Sequence, residues 1–167
     1  MAELLPQERL QPSLLDRLTD DTPDAREESR DKRVLSISQL RASVLRDVAW
    51  LLNTVHLQAS QDLSEWPEVA SSTVNYGIPD LAGSSASGRN VAQLERAVRQ
   101  ALLDFEPRII SDSLKVTVRI EPEQMSRHAM LFIIEGRLWA QPVPLSLYLK
   151  TELDLETGAV TVAESSR

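Results

Sequence analysis

Hydrophobic positions are spaced three and four apart in the first two thirds of the chain and alternate in the last third. Leu40, Val44, Leu45, Val48, Leu51, Leu52 and Val55 form one wide apolar face at helical spacing, with Arg41, Arg46 and Asp47 on the other side. Ser36, followed three residues later by Gln39, is a capping box, so the pattern predicts a helix from there to about His56. A second helix is predicted from a cap at Asn90, with Gln93 completing its box, through Val91, Leu94, Val98, Ala101, Leu102 and Phe105 to a stop at Pro107. From there the period becomes two. Leu114, Val116, Val118 and Ile120 alternate with Lys115, Thr117 and Arg119, a half-buried strand; Met130 to Leu138 is apolar on both faces, a central strand. Leu145, Leu147, Leu149 and Leu153 share one parity, Asp154 to Gly158 is a turn, and Ala159 to Ala163 closes the sheet. Helices first and strands later predict an α+β fold: N-terminal helices packed on one face of a mainly antiparallel sheet of about four strands.

The segments around this pattern divide the chain. Residues 1–33 read as a flexible arm containing a short amphipathic helix at 13–19, with Ser13 as its cap, Asp16 in its first turn and Leu14, Leu15 and Leu18 as its apolar stripe. A helix of two turns is not stable alone in water, so it is expected to dock on the domain or on a neighbour. The mixed-charge run from Thr19 to Arg33 reads as a solvated linker, residues 34–163 as a single domain, and 164–167 as a disordered tail. Between the helices, Gln58 to Ser87 is loop-rich: Trp66-Pro67, the turn Asn75-Tyr76-Gly77, Pro79 and a flexible Gly/Ser cluster from Gly83 to Gly88. Trp50, Phe105, Phe132 and Trp139 are expected in or near the core, and the loop aromatics Trp66 and Tyr76 as interface anchors.

Composition narrows the function classes. A chain of 167 residues fits one domain able to bury a real core. It has no cysteine, so a disulfide framework and a thiolate zinc site are both excluded. No apolar run is long enough to span a membrane, and Glu3 and Pro6 are unlike a signal peptide, so the expected location is cytoplasmic, without direct membrane insertion. A net charge of −7 argues against nucleic-acid binding. The positive charge is nearly all Arg, which favours ordered contacts to carboxylates of protein partners.

Candidate chemistry is sparse. His56 and His128 have no carboxylates at ligand spacing, so no metal site is expected. The Gly/Ser cluster lacks the lysine and preceding strand of a phosphate-binding loop, and no cofactor is expected. Two carboxylate pairs remain. Asp154 and Glu156 sit in a hairpin turn, where acids are common; Asp104 and Glu106 sit at a helix C-terminus, where the carbonyl ends disfavour anions. Glu106-Pro107-Arg108 gives that position two readings. Proline fixes the backbone between an acid and a base, which can then engage a partner's ions; alternatively the two charges pair within their own domain across the helix-to-strand corner. On the charges alone, the internal pairing is the simpler reading.

Several strings in order, from Leu10 to Val162, resemble the TssE family of type VI secretion baseplate subunits, which is similar to the small wedge protein of contractile phage tails. They are Ser13-Leu14-Leu15-Asp16-Arg17-Leu18, the run from Ser43 to Thr54, Asn75-Tyr76-Gly77-Ile78-Pro79-Asp80, Phe105-Glu106-Pro107-Arg108-Ile109 and the run from Thr151 to Gly158. The resemblance implies a structural, non-enzymatic part of a cytoplasmic baseplate docked at the inner membrane complex. The implied partners are the wedge subunits TssF and TssG, TssK and the VgrG hub in the wider baseplate, and the sheath subunits TssB and TssC, whose first ring it would help initiate. It implies that Glu106, Pro107 and Arg108 form an assembly motif contacting the wedge. Sheath docking would be strand addition at an open sheet edge, with the strands from Leu145 to Leu153 and Ala159 to Ala163 as candidates. Candidate partner contacts are Leu14, Leu15, Leu18, Trp66, Tyr76, Leu147, Leu149 and Thr151. The family has also been described as lysozyme-like, so the alternative is a cell-wall glycoside hydrolase using Glu106.

Overall fold

The computed structural model describes residues 13–19, 36–81, 88–119, 129–140 and 144–165. Among the described residues, four α-helices precede four strands: α1 Leu14–Leu18, α2 Ile37–Leu52, α3 Pro67–Ala70, α4 Gly88–Phe105, β1 Lys115–Arg119, β2 Ala129–Leu138, β3 Leu145–Asp154 and β4 Val160–Glu164. The strands form an antiparallel meander in the order β1-β2-β3-β4. The architecture is α+β, with the helices N-terminal to the sheet. The predicted Ile120 and His128 and the Gly83 to Ser87 cluster lie outside the described residues.

Parity decides the core. Met130, Phe132 and Ile134 of β2, Leu147, Leu149 and Leu153 of β3 and Val160 of β4 bury one face of the sheet. Leu40, Val44, Val48, Leu51 and Leu52 of α2 and Leu94, Val98, Ala101 and Leu102 of α4 join the same cluster. Leu147, Leu149 and Thr151 are therefore core residues, at most 3% exposed, and cannot present side chains to a partner. Nor is β3 an open edge, because β2 pairs along one side of it and β4 along the other; among the described residues the edges are β1 and β4. Sequence parity places a residue on a face but says nothing about the order of strands across the sheet.

The capping box of α2 forms as read: Ser36 Oγ accepts from Gln39 N and Gln39 Oε1 accepts from Ser36 N. The helix ends at Leu52, short of His56, because the next residue has another use for its side chain. Asn53 Nδ2 donates to Ala49 O and also to Val160 O, each at 2.8 Å, and Asn53 Oδ1 accepts from Val160 N at 2.9 Å. Val55 then bridges in parallel to Ile78 and leaves the apolar face. This crossing passes Gly77, whose φ of +129° and whose Cβ position, 2.4 Å from Thr54 O, exclude a side chain. At the other helix, α4 begins at Gly88, so Asn90 lies inside its first turn instead of capping it.

Two tryptophans expected near the core are exposed. Trp50 is 52% exposed on the solvent side of α2, one turn from Arg46, whose guanidinium carbon stacks 5.2 Å over the ring. Trp139, 45% exposed, follows inward-facing Leu138 at the end of β2 and falls on the outer side by alternation. Phe132 is buried, and Phe105 packs half-buried against the core.

Candidate functional site

The corner where α4 meets the sheet is built by the backbone first. Glu106 N makes the last helical bond, to Leu102 O, and Ile109 N turns back onto Glu106 O. Past the corner the chain zips onto the end of β2, with Ile110 N donating to Arg137 O and Trp139 N to Arg108 O, each at 2.8 Å. Pro107 is exposed at the apex. Clamped on both sides, Arg108 has its side chain directed back under α2.

Glu106 is 3% exposed, and both its carboxylate oxygens are occupied by Arg108. Oε1 accepts from Arg108 Nε at 2.6 Å and from Arg108 N at 3.2 Å, and Oε2 accepts from Arg108 Nη2 at 2.5 Å. The same guanidinium donates through Nη2 to Asp47 Oδ2 at 2.7 Å and through Nη1 to Ser43 Oγ at 3.1 Å. Ser43 and Asp47 lie one turn apart on α2, so the arginine ties the end of α4 to the middle of α2. Burial acts to lower the Arg108 pKa, but the Glu106 and Asp47 carboxylates outweigh it and hold the guanidinium above its ordinary value.

The charges continue outward. Asp47 also pairs with Arg46, whose Nε donates to Asp47 Oδ1 at 2.9 Å while Nη2 sits 2.8 Å from the same oxygen without hydrogen-bond alignment. Arg46 Nη1 in turn reaches Asp16 Oδ1 at 2.5 Å, joining α1 to α2. The hydrogen bond from Arg46 holds the Asp16 carboxyl below its ordinary value and, reciprocally, raises the pKa of Arg46. A chain of alternating sign, Glu106, Arg108, Asp47, Arg46, Asp16, thus runs from a buried corner to the N-terminal helix. Tyr76 leans on it: its ring meets Phe105 edge-on at 5.2 Å, its hydroxyl is 3.4 Å from Asp47 O, and burial, then the Asp47 and Glu106 charges, raise its pKa.

The three residues of the Glu-Pro-Arg motif are therefore brought together, with the two charges engaged inside their own domain, as the simpler reading had it. Leu14 and Leu18 turn outward, 70% and 74% exposed, with Leu15 at 42%, so α1 is held by its polar side and not by its leucines. Trp66 is 56% exposed at the start of α3; Tyr76 is half-buried. Ser43, Arg46, Asp47, Asp16 and Asn53 were not singled out by sequence as site residues. The available signal was that Ser43 and Asp47 sit at helical spacing on the polar flank of α2, but a partner 61 residues away leaves no local pattern. Among the described residues no three His, Cys, Asp or Glu side chains gather as a metal site, and no helix is long and apolar enough to cross a membrane.

A family model described as the baseplate wedge protein gp25 matches residues 38–143, more than half of the chain. No curated protein matches. A solved structure described as a proposed tail lysozyme from Geobacter sulfurreducens is 19% identical, with a TM-score of 0.47, covering 70% of this chain and 94% of that one. That likeness is below the level at which a shared fold can be asserted.

Proposed function

We propose, from the premise that the chain belongs to the baseplate wedge protein gp25 family and so serves in a phage-tail-like baseplate, that it is the type VI secretion member of that machinery and acts without catalysis. In this reading it joins wedge subunits of the TssF and TssG kind to the first sheath ring of TssB and TssC, within a cytoplasmic baseplate that also holds TssK and the VgrG hub and docks at the inner membrane complex. The observation that carries the non-catalytic part is the state of Glu106. A glycosidase acid needs an accessible carboxyl facing a second one across a cleft. Glu106 is buried, both its oxygens are taken by one arginine, and Asp47, the other acid on that arginine, is held by the same guanidinium.

The motif then works as a brace. It fixes the angle between α4, α2 and the end of β2, and leaves exposed Pro107 and the outer rim of the Arg108–Asp47 pair for a wedge subunit. The sheath side is β4, which has β3 on one side only. Photo-cross-linking residues placed at Pro107 and at exposed Ala163 in assembled baseplates test both assignments. The first is expected to capture TssF or TssG and the second a sheath subunit; the reverse pattern, or no capture at either position, rejects the arrangement. Purified protein incubated with peptidoglycan is expected to release no sugar, and measurable turnover rejects the non-catalytic reading.

A further inference from the structure

We infer that Asn53 sets the register of strand pairing at the outer edge of β4. In an antiparallel ladder, successive residues turn their backbone groups alternately toward and away from the neighbouring strand. Ala159 O accepts from Asp154 N and Ser165 N donates to Tyr148 O, so odd-numbered residues along β4 bond inward to β3. Even-numbered residues point out. The first of them, Val160, has both its N–H and its C=O occupied by the single Asn53 side chain, which stands where the next strand would stand. The amide orientation follows from this pair of bonds, since a flipped amide would face donor to donor and acceptor to acceptor.

Val162 and Glu164 are the remaining outward positions, and no described residue bonds their backbone groups. Past the end of β4, in its own lane, Arg41 Nη2 donates to Ser146 O of β3 at 3.0 Å, and its Nη1 pairs with the Glu164 carboxylate. Arg41 and Asn53 thus stand at the two ends of one stripe on α2, with Leu45 and Ala49 between them at four-residue spacing. Leu45 packs against the core margin and Ala49 is half-buried. The geometry is an edge of two outward residues, Val162 and Glu164, stopped at its Val160 end by the Asn53 amide.

The occupant that fits is an extended segment of another chain. It would bond to the outward groups of Val162 and Glu164 and turn an apolar side chain toward Leu45 and Ala49. Asn53 blocks it from sliding on to Val160. A slip of one residue would put that apolar side chain on the opposite face, so a fixed stop gives a fixed register.

This inference rests on β4 being a docking edge, but it is tested without any sheath protein. Amide exchange is followed by NMR in the free chain and with the synthetic peptide acetyl-Thr-Val-Thr-Val-Thr-amide as probe. In the free protein the Val160 amide is expected to exchange about tenfold or more slowly relative to those of Val162 and Glu164. Asn53→Ala removes that protection at Val160. With peptide, the natural chain gains protection at Val162 and Glu164 only, and Asn53→Ala gains it at Val160 as well. Equal exchange at all three amides in the free chain, peptide protection of Val160 in the natural chain, or no peptide protection anywhere overturns the inference. Failure of the sheath assignment alone would leave these exchange patterns in place.

Discussion

Arg108 illustrates how little a charged residue reveals until its neighbours are known. Its guanidinium compensates a carboxylate that is almost fully buried, so removing it leaves Glu106 charged, desolvated and alone. Breaking one side of such a pair costs about 3–5 kcal/mol, whereas replacing both partners by apolar residues is often neutral. Denaturant unfolding is therefore expected to show a large loss for Arg108→Ala and a smaller one for the double variant Glu106→Leu/Arg108→Met. A loss under about 1 kcal/mol for Arg108→Ala, the size of a surface pair, would show that the corner is solvated in solution. Gly77 makes a second prediction at this scale. Any side chain there adopts an unfavourable φ and meets the Thr54 carbonyl, so Gly77→Ala is expected to cost about 2 kcal/mol or more in the same measurement. Tyr76-Gly77 was legible as a turn; that the glycine lets two backbones cross closely was not, because the crossing partner is remote in sequence.

Among the elements, α1 has the weakest hold. It is five residues long, turns its leucines to solvent and is tied to α2 through Asp16 and Arg46. The Asp16 carboxyl is depressed below its unfolded value of 3.8, so its contribution is fully present above that value and is lost as pH falls through the lower folded one. Acidification below pH 3.8 is expected to release α1, and Arg46→Ala to release it at neutral pH while changing global stability by less than about 1 kcal/mol. NMR shifts of Leu14, Leu15 and Leu18 moving to random-coil values, with the α2 core signals unchanged, is the readout; unchanged shifts in Arg46→Ala would mean another contact holds the helix. Elements were the most legible level in the sequence. The capping box at Ser36, the alternation around Val116 and the common parity of Leu147, Leu149 and Leu153 each follow from local spacing. The end of α2 was misread because Val55 continues the helical spacing, while Asn53 leaves the helix to bond a strand 107 residues later.

For the whole molecule, the β-ladder and the proposed docking would use different backbone groups of the same strand, which makes them separable. The sequence showed a closing strand but not which edge it leaves open, since alternation assigns each strand a face and says nothing of how many neighbours it has across the sheet. Proline substitution reads the difference directly, because it deletes one N–H while tolerating extended φ. Thr161 pairs with Glu152 and points its N–H into the ladder; Val162 points its N–H away. Thr161→Pro is expected to lower stability by about 1–3 kcal/mol by leaving a β3 carbonyl without its donor. Val162→Pro keeps the ladder and should stay within about 1 kcal/mol of the parent. If β4 receives a sheath strand, baseplates carrying Val162→Pro assemble but grow no sheath under the electron microscope, despite a folded subunit. Normal sheath growth on Val162→Pro baseplates would exclude this edge and move the docking surface to β1, the other strand with a single neighbour.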